Sequence, residues 1–264
     1  MKSSLVAFAV ALGMIGAARA ADAPTNAALI EDIVVGNHIL YDQAVVDGFG
    51  HLSGRNPQNA GHFFMARAVA PGLVTADDIM EFDLDGKAID ARGRRPYVER
   101  FIHAEVYRAR PDVMAVVHSH SPGVLPFGVS QTPLRAMVMT GSFLGDGAPV
   151  FDAAAAGGTF GFLINTPELG KALAKTLGNG TVVLMRAHGD TVVGRGVRQA
   201  VSNAIYTEIA ARLEMQALSL GSHITWLSPQ EIKNQETVAN SPNITGGGDR
   251  TWDMWKAQAE RHSR

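Results

Sequence analysis

Residues 97–122 read YVERFIHAEVYRARPDVMAVVHSHSP. Val98, Phe101, Ile102, Val106 and Tyr107 recur at helical spacing. Arg110-Pro111-Asp112 stops that pattern, because proline disfavours helical backbone in the residue before it. Pro96 suits a first helical turn, where its missing N–H would be unbonded anyway. A helix is therefore predicted from about Tyr97 to Ala109, with Glu99 in its first turn. Val113 to Val117 then predicts a buried strand, and that strand runs into His118-Ser119-His120. Residues two apart on a strand point to the same side, so the two imidazoles are presented together. They sit at the exit of the strand, where sites of open sheets commonly lie. Such a pair can grip a divalent ion, or it can be a core-edge pair bonded to backbone carbonyls.

A cation held by imidazole needs a third donor and often a carboxylate. His188 stands out, because it follows a second apolar run in TVVLMRAHGD, and Gly189 lets the backbone turn sharply after it. His38, His223 and His262 have no such setting and read as surface or cap residues. Glu99 is a candidate fourth group, although a first-turn glutamate is also favoured simply by the helix dipole. His103 lies one helical turn after Glu99 and could orient its carboxylate.

The rest of the chain reads as one α/β domain of mixed strands. A first helix is expected over Thr25 to Tyr41 and strands over His51 to Arg55, His62 to Ala68 and Ile79 to Leu84. Thr75 is a candidate N-cap, and Asp85-Gly86 signals a tight hairpin into Lys87 to Asp90. A further strand is expected at Thr181 to Met185 and the longest helix from Arg198 to Leu220. Gly246-Gly247-Gly248 lacks a following Lys-Ser/Thr, so it is not a phosphate loop and reads as a flexible link to a tail carrying Trp252 and Trp255.

The 264 residues are 46% hydrophobic, enough for a sizeable core. Lys plus Arg number 23 against 25 Asp plus Glu, a balance that argues against nucleic-acid or membrane-surface partners. There is no cysteine, which rules out disulfides and thiolate ligands. Lys2, the uncharged run Leu5 to Ala18 and the small residues of Ala18-Arg19-Ala20 predict a secretory signal over residues 1–20. The run is short of the roughly 20 residues that span a bilayer. A periplasmic or secreted mature chain beginning at Ala21 is expected, with no membrane contact after cleavage.

The segment 97–122, together with RAHGDTVVGRG at 186–196, resembles the class II aldolase/adducin family. Fuculose-phosphate aldolase and ribulose-phosphate epimerase are its sugar-phosphate members. The resemblance covers roughly residues 27–220. It implies a three-layer α/β/α fold around a mostly antiparallel sheet and a homotetramer with sites at subunit interfaces. It implies that His118, His120 and His188 bind a divalent metal, usually zinc and in some branches manganese. It also implies that Glu99 both touches that metal and moves the proton. A divalent ion would act as a Lewis acid on a small-molecule hydroxy-carbonyl or hydroxy-acid substrate and stabilise an enediolate.

Three elements depart from the sugar-phosphate pattern. Arg95-Pro96-Tyr97-Val98-Glu99 lacks a serine before the glutamate, Met65 to Gly72 lacks hydroxyls, and Gly50-His51 has histidine in place of asparagine. A phosphate wants several N–H or O–H donors, so their loss argues for another anion. A carboxylate suits Arg55 and Arg67, whose guanidinium can form a two-pronged fork. GHLSGR, with His51, Ser53 and Arg55 as candidate substrate contacts, is similar to the family's decarboxylase branch, which acts on hydroxylated aromatic or pyridine carboxylic acids. A metal-dependent C–C lyase of a non-phosphorylated hydroxy acid is expected, with decarboxylation favoured over retro-aldol cleavage. The alternatives are a sugar-phosphate aldolase or 4-epimerase, disfavoured by these loops, and an adducin-like binding module, disfavoured by the retained histidines and Glu99.

Overall fold

The computed structural model describes residues 25–221, 223–239 and 247–262. The predicted signal over residues 1–20 and residues 240–246 of the polar tail lie outside them. Among the described residues no helix is long and apolar enough to cross a membrane.

Seven strands form one sheet: β1 (His51–Arg55), β2 (His62–Ala66), β3 (Ile79–Asp83), β4 (Ala115–Ser119), β5 (Val150–Phe151), β6 (Val182–Met185) and β7 (Gly189–Gly194). Their order is β3-β2-β1-β4-β7-β6-β5, and every neighbouring pair is antiparallel except the parallel β5–β6. Helices α1 (Asn26–Asp42) and α5 (Val197–Ser219) cover one face, joined there by the tail helix α7 (Gly247–His262). Helices α2 (Arg100–Ala109) and α4 (Pro167–Leu177) cover the other. Short helices α3 (Leu125–Val129) and α6 (Pro229–Ala239) complete the set. The result is the expected three-layer α/β/α arrangement.

The middle strand explains its own sequence. Ala115 and Val117 pack with Ile33, Leu40 and Val201 on the α1/α5 side, while Val116 packs with Ile102, Val106 and Leu173 on the α2/α4 side. All three strand residues are buried, so β4 needs apolar side chains at consecutive positions rather than alternate ones. Full burial of each valine contributes about 1.5–3 kcal/mol. The same alternation puts His118 and His120 on the α2/α4 side, and Ser119 on the α5 side.

Helix α2 begins three residues later than its proline suggests. Arg95 O accepts the Ala68 N–H at 2.8 Å, Pro96 bridges to Arg67, and the Tyr97 hydroxyl donates to Val69 O. These ties hold residues 95–97 against the end of β2, so Glu99 becomes the N-cap residue rather than part of the first turn. Thr75 caps only a single 3₁₀ turn, Ala76–Asp78, before β3. Gly247 and Gly248 begin α7 rather than a flexible link. Trp252 and Trp255 of that helix are buried in the α1/α5 core, with Trp255 against Tyr206 at 5.9 Å. They serve this chain's own core.

Glu214 of α5 is fully buried. Its Oε2 accepts the Arg135 N–H at 3.0 Å, and its Oε1 has no partner among the described residues. Burial pushes this carboxyl up to about 7. In the unfolded chain it titrates near 4.3. Between those values the folded state binds the extra proton, so this stability contribution is lost as pH rises toward about 7 and is flat above it. Glu214→Gln removes this group's share of the pH dependence, so the ratio of its urea unfolding midpoint to that of the unsubstituted chain is expected to rise between about pH 5 and about pH 8.

Candidate metal centre

Three segments meet at the carboxyl end of β4. His118 is the fourth residue of that strand, and His120 lies one residue beyond its end. β7 pairs with β4 from the other side, with His118 opposite Thr191 and Ser119 opposite Asp190. The turn from β6 into β7 carries His188. Ala187 in that turn has φ 57°, a left-handed conformation that costs an ordinary L-residue about 1–2 kcal/mol. Gly189 follows because a side chain would not fit: its Cβ would stand 2.0 Å from Ser119 O. Glu99 arrives from below, at the start of α2. It makes no cap hydrogen bond with its own helix. Its Oε1 accepts the Ile164 N–H at 2.8 Å, and its Oε2 lies 3.5 Å from both His118 Nε2 and His188 Nε2.

These four side chains offer ligand atoms that all lie within 4.8 Å of one another. His118 Nδ1 donates to Asp190 O at 2.8 Å, since a carbonyl can only accept. Its Nε2 therefore presents a lone pair to the cluster. His118 Nε2, His120 Nε2 and both ring nitrogens of His188 are buried with no hydrogen-bond partner among the described residues. Buried polar atoms are normally satisfied, so three rings that each turn an unpartnered nitrogen to one point call for a cation. Ligands of a tetrahedral ion stand about 3.4 Å apart for bonds near 2.0–2.1 Å, and the two 3.5 Å separations fit. Burial pushes His118 down to about 3 and lowers His120, which keeps both rings neutral. Burial opposes the charge on Glu99, yet His118, His188 and the Ile164 N–H together hold its carboxyl down at about 2. Neutral imidazole and ionised carboxylate are the forms that bind a metal.

The other predicted residues divide. His51 pairs with His118 across the β1–β4 ladder, their ring centroids 4.9 Å apart. Its Nδ1 faces His103 Nε2 at 2.7 Å, His103 Nδ1 faces Ser53 Oγ at 2.6 Å, and Ser53 Oγ faces the Tyr107 hydroxyl at 2.7 Å. His103 is thus fully buried and bonded to β1, not to Glu99, and Ser53 supports the site from behind. Arg55 is engaged by the backbone. Its guanidinium donates to the backbone oxygens of Val113, Ala60, Tyr107 and Arg110 at 2.7–2.9 Å, closing the carboxyl end of α2. Arg67 lies outside the four-residue cluster and donates from Nε to Asp78 at 2.6 Å. Residues not anticipated include Phe49, two-thirds exposed and stacked on His120 at 6.0 Å, and Tyr97, 4.6 Å from the His51 ring. Asp190 was also missed, since its role lies in a backbone oxygen that any residue would supply.

The Class II Aldolase and Adducin N-terminal domain matches residues 31–215. A decarboxylase of Talaromyces stipitatus, tropJ, is 34% identical over 254 residues, covering 88% of this chain and 94% of that protein. The 3,4-dihydroxyphthalate decarboxylase of Arthrobacter keyseri is 30% identical over 254 residues, covering 90% and 96%. Among solved structures, an aldolase II superfamily protein from Pseudomonas syringae superposes with a TM-score of 0.74 at 20% identity, covering 92% of this chain and 96% of that one. The L-fuculose 1-phosphate aldolase of Glaciozyma antarctica gives 0.69 at 22% identity, covering 88% of each chain. The last two show a shared fold.

The turn geometry has two measurable consequences. Ala187→Gly should raise the unfolding free energy by about 0.5–1 kcal/mol, because relief of the left-handed strain exceeds the added chain entropy; chemical denaturation reads this. Gly189→Ala changes no residue of the four-membered cluster, but it should weaken retention of a divalent ion by pushing β7 away from Ser119, as metal analysis of the purified variant would reveal.

Proposed function

The chain belongs to the class II aldolase and adducin family, and on that premise we propose that it is a decarboxylase of a hydroxylated aromatic carboxylic acid. The observation that carries this reading is the convergence of His118, His120, His188 and Glu99, set beside likeness to decarboxylases along most of the chain. His118, His120 and His188 would hold a divalent ion, zinc first and manganese second, with Glu99 at its side. When bound, such an ion supplies Lewis acidity to the substrate's hydroxyl and carboxylate oxygens.

The chain's own residues account for the proton. Glu99 is ionised at neutral pH, so it enters as a base. It takes the proton of the substrate hydroxyl. As the C–C bond to the carboxylate breaks, CO2 leaves and the electron pair stays on the ring carbon. Glu99 then returns its proton to that carbon. The Ile164 N–H fixes one carboxylate oxygen and leaves the other to exchange the proton. Phe49 offers an exposed ring beside His120, a surface suited to a flat aromatic acid. Burial of Glu99 and His118 keeps bulk water from the reacting groups. The absence of hydroxyls in residues 65–72 supports a carboxylate over a phosphate. A homotetramer and an exported mature chain form part of the same reading.

Purified protein should bind about one divalent ion per chain and release CO2 from hydroxylated aromatic acids. Glu99→Gln should keep most of the metal and lose about 100-fold or more in turnover. His188→Ala should lose metal and activity together. Turnover of a phosphorylated sugar alone would overturn the substrate assignment, and near-normal activity in Glu99→Gln would move the proton transfer to another residue.

A further inference from the structure

The four buried groups behind the metal centre form an unbranched line: Tyr107 hydroxyl, Ser53 hydroxyl, His103 ring, His51 ring. Each link is 2.6–2.7 Å long and carries one proton. Such a line has two directions, and its hydroxyls choose between them, because a buried hydroxyl proton needs an acceptor. Tyr107 is 1% exposed, and Ser53 Oγ is the acceptor within reach of its hydroxyl among the described residues. The phenol proton therefore goes to Ser53. The serine proton goes to His103 Nδ1, and His103 must then carry its proton on Nε2 and donate it to His51 Nδ1. The reverse direction would strand the phenol proton in the core without an acceptor.

We infer that this line holds His51 in its Nε2–H form, making it a fixed hydrogen-bond donor beside the metal centre and not a proton-accepting base. The two nitrogens of an imidazole point apart, so with Nδ1 turned to His103, Nε2 is turned away from it. His51 lies opposite His118 in the ladder and against Tyr97, on the side of the sheet that carries the cluster. No described residue accepts from its Nε2. On the decarboxylase reading above, that N–H is aimed at an anionic oxygen of the substrate, where an acceptor is required and a donor group is refused. His51 touches substrate; Ser53, His103 and Tyr107 act through it as positioning residues.

The full chain, labelled with ¹⁵N-histidine and supplied with zinc, can be read by magic-angle-spinning NMR, the His51 signals being assigned by their loss in His51→Gln. A neutral ring protonated at Nε2 is expected. A ring protonated at Nδ1, or at both nitrogens, would overturn the inference. Ser53→Ala cuts the line and should let His51 populate both tautomers, whereas Tyr107→Phe should preserve the Nε2–H form, since the serine proton still has His103 as its acceptor. An unchanged single tautomer in Ser53→Ala would show that the line does not set it; should that variant not fold, the unsubstituted chain and Tyr107→Phe still decide. In CO2-release assays His51→Gln, which keeps an N–H, should stay within about 10-fold in kcat/KM, while His51→Leu should lose roughly 10- to 100-fold beyond that with zinc retained. Equal losses in both would remove the donor role. A chain that releases no CO2 would fail the decarboxylase reading while leaving the tautomer measurable.

Discussion

The hydrogen bond from His118 Nδ1 to the backbone oxygen of Asp190 spans the β4–β7 pair at 2.8 Å. It settles two matters together. It assigns the ring proton to the nitrogen facing the strand, which frees the other for a cation. It also ties that assignment to strand register, because a slip of one residue would turn His118 to the opposite face. His188 depends on the same register, since it leads into β7 at Gly189, whose missing side chain lets the backbone pass close to Ser119. Glu99 alone reaches the cluster from a helix, and the ties of residues 95–97 to the end of β2 aim it there.

The opposite face of the same stretch is polar and buried as well. Ser119 donates to Asp190, whose carboxyl burial pushes up to about 7. Ser121 donates to Glu208, which also accepts the Gly123 N–H and pairs with Arg212. The strand end thus alternates between two environments. Histidines 118 and 120 serve the open centre, while serines 119 and 121 fasten the chain to β7 and α5. A loose strand end could not hold two imidazoles within 4.8 Å of a third and of a carboxylate.

Much of this was readable from residue pattern. The uninterrupted apolar run of β4, its paired histidines and the glycine after His188 each carry a local physical reason, and the motif spacing supplied the family. The start of α2 is not legible locally, because Pro96 is compatible with both a helical first turn and an extended bridge, and Arg67 and Ala68, far away in sequence, decide between them. A guanidinium fits a carboxylate as well as it fits a backbone carbonyl, so residue type alone does not reveal that Arg55 holds four backbone oxygens and Arg67 the Asp78 carboxylate. α4 could have been found: Thr166 caps Leu169 N, Pro167 opens the helix and Gly178 closes it. The two-residue β5 could not, because its pairing is set entirely by β6.

Arg55 carries a consequence for how loss-of-function data on this chain should be interpreted. One guanidinium satisfies four carbonyl oxygens drawn from the β2 approach, the end of α2 and the entry to β4, and it also lies over the Tyr107 ring at 4.7 Å. Lysine has no planar fork and could not reach all of them. An alanine there would abandon several interior acceptors at once, so the variant would look catalytically dead while its defect was architectural. In a scan scored by turnover alone, this position would pass for a ligand-recognition residue; soluble yield and hydrogen exchange along α2 tell the two apart.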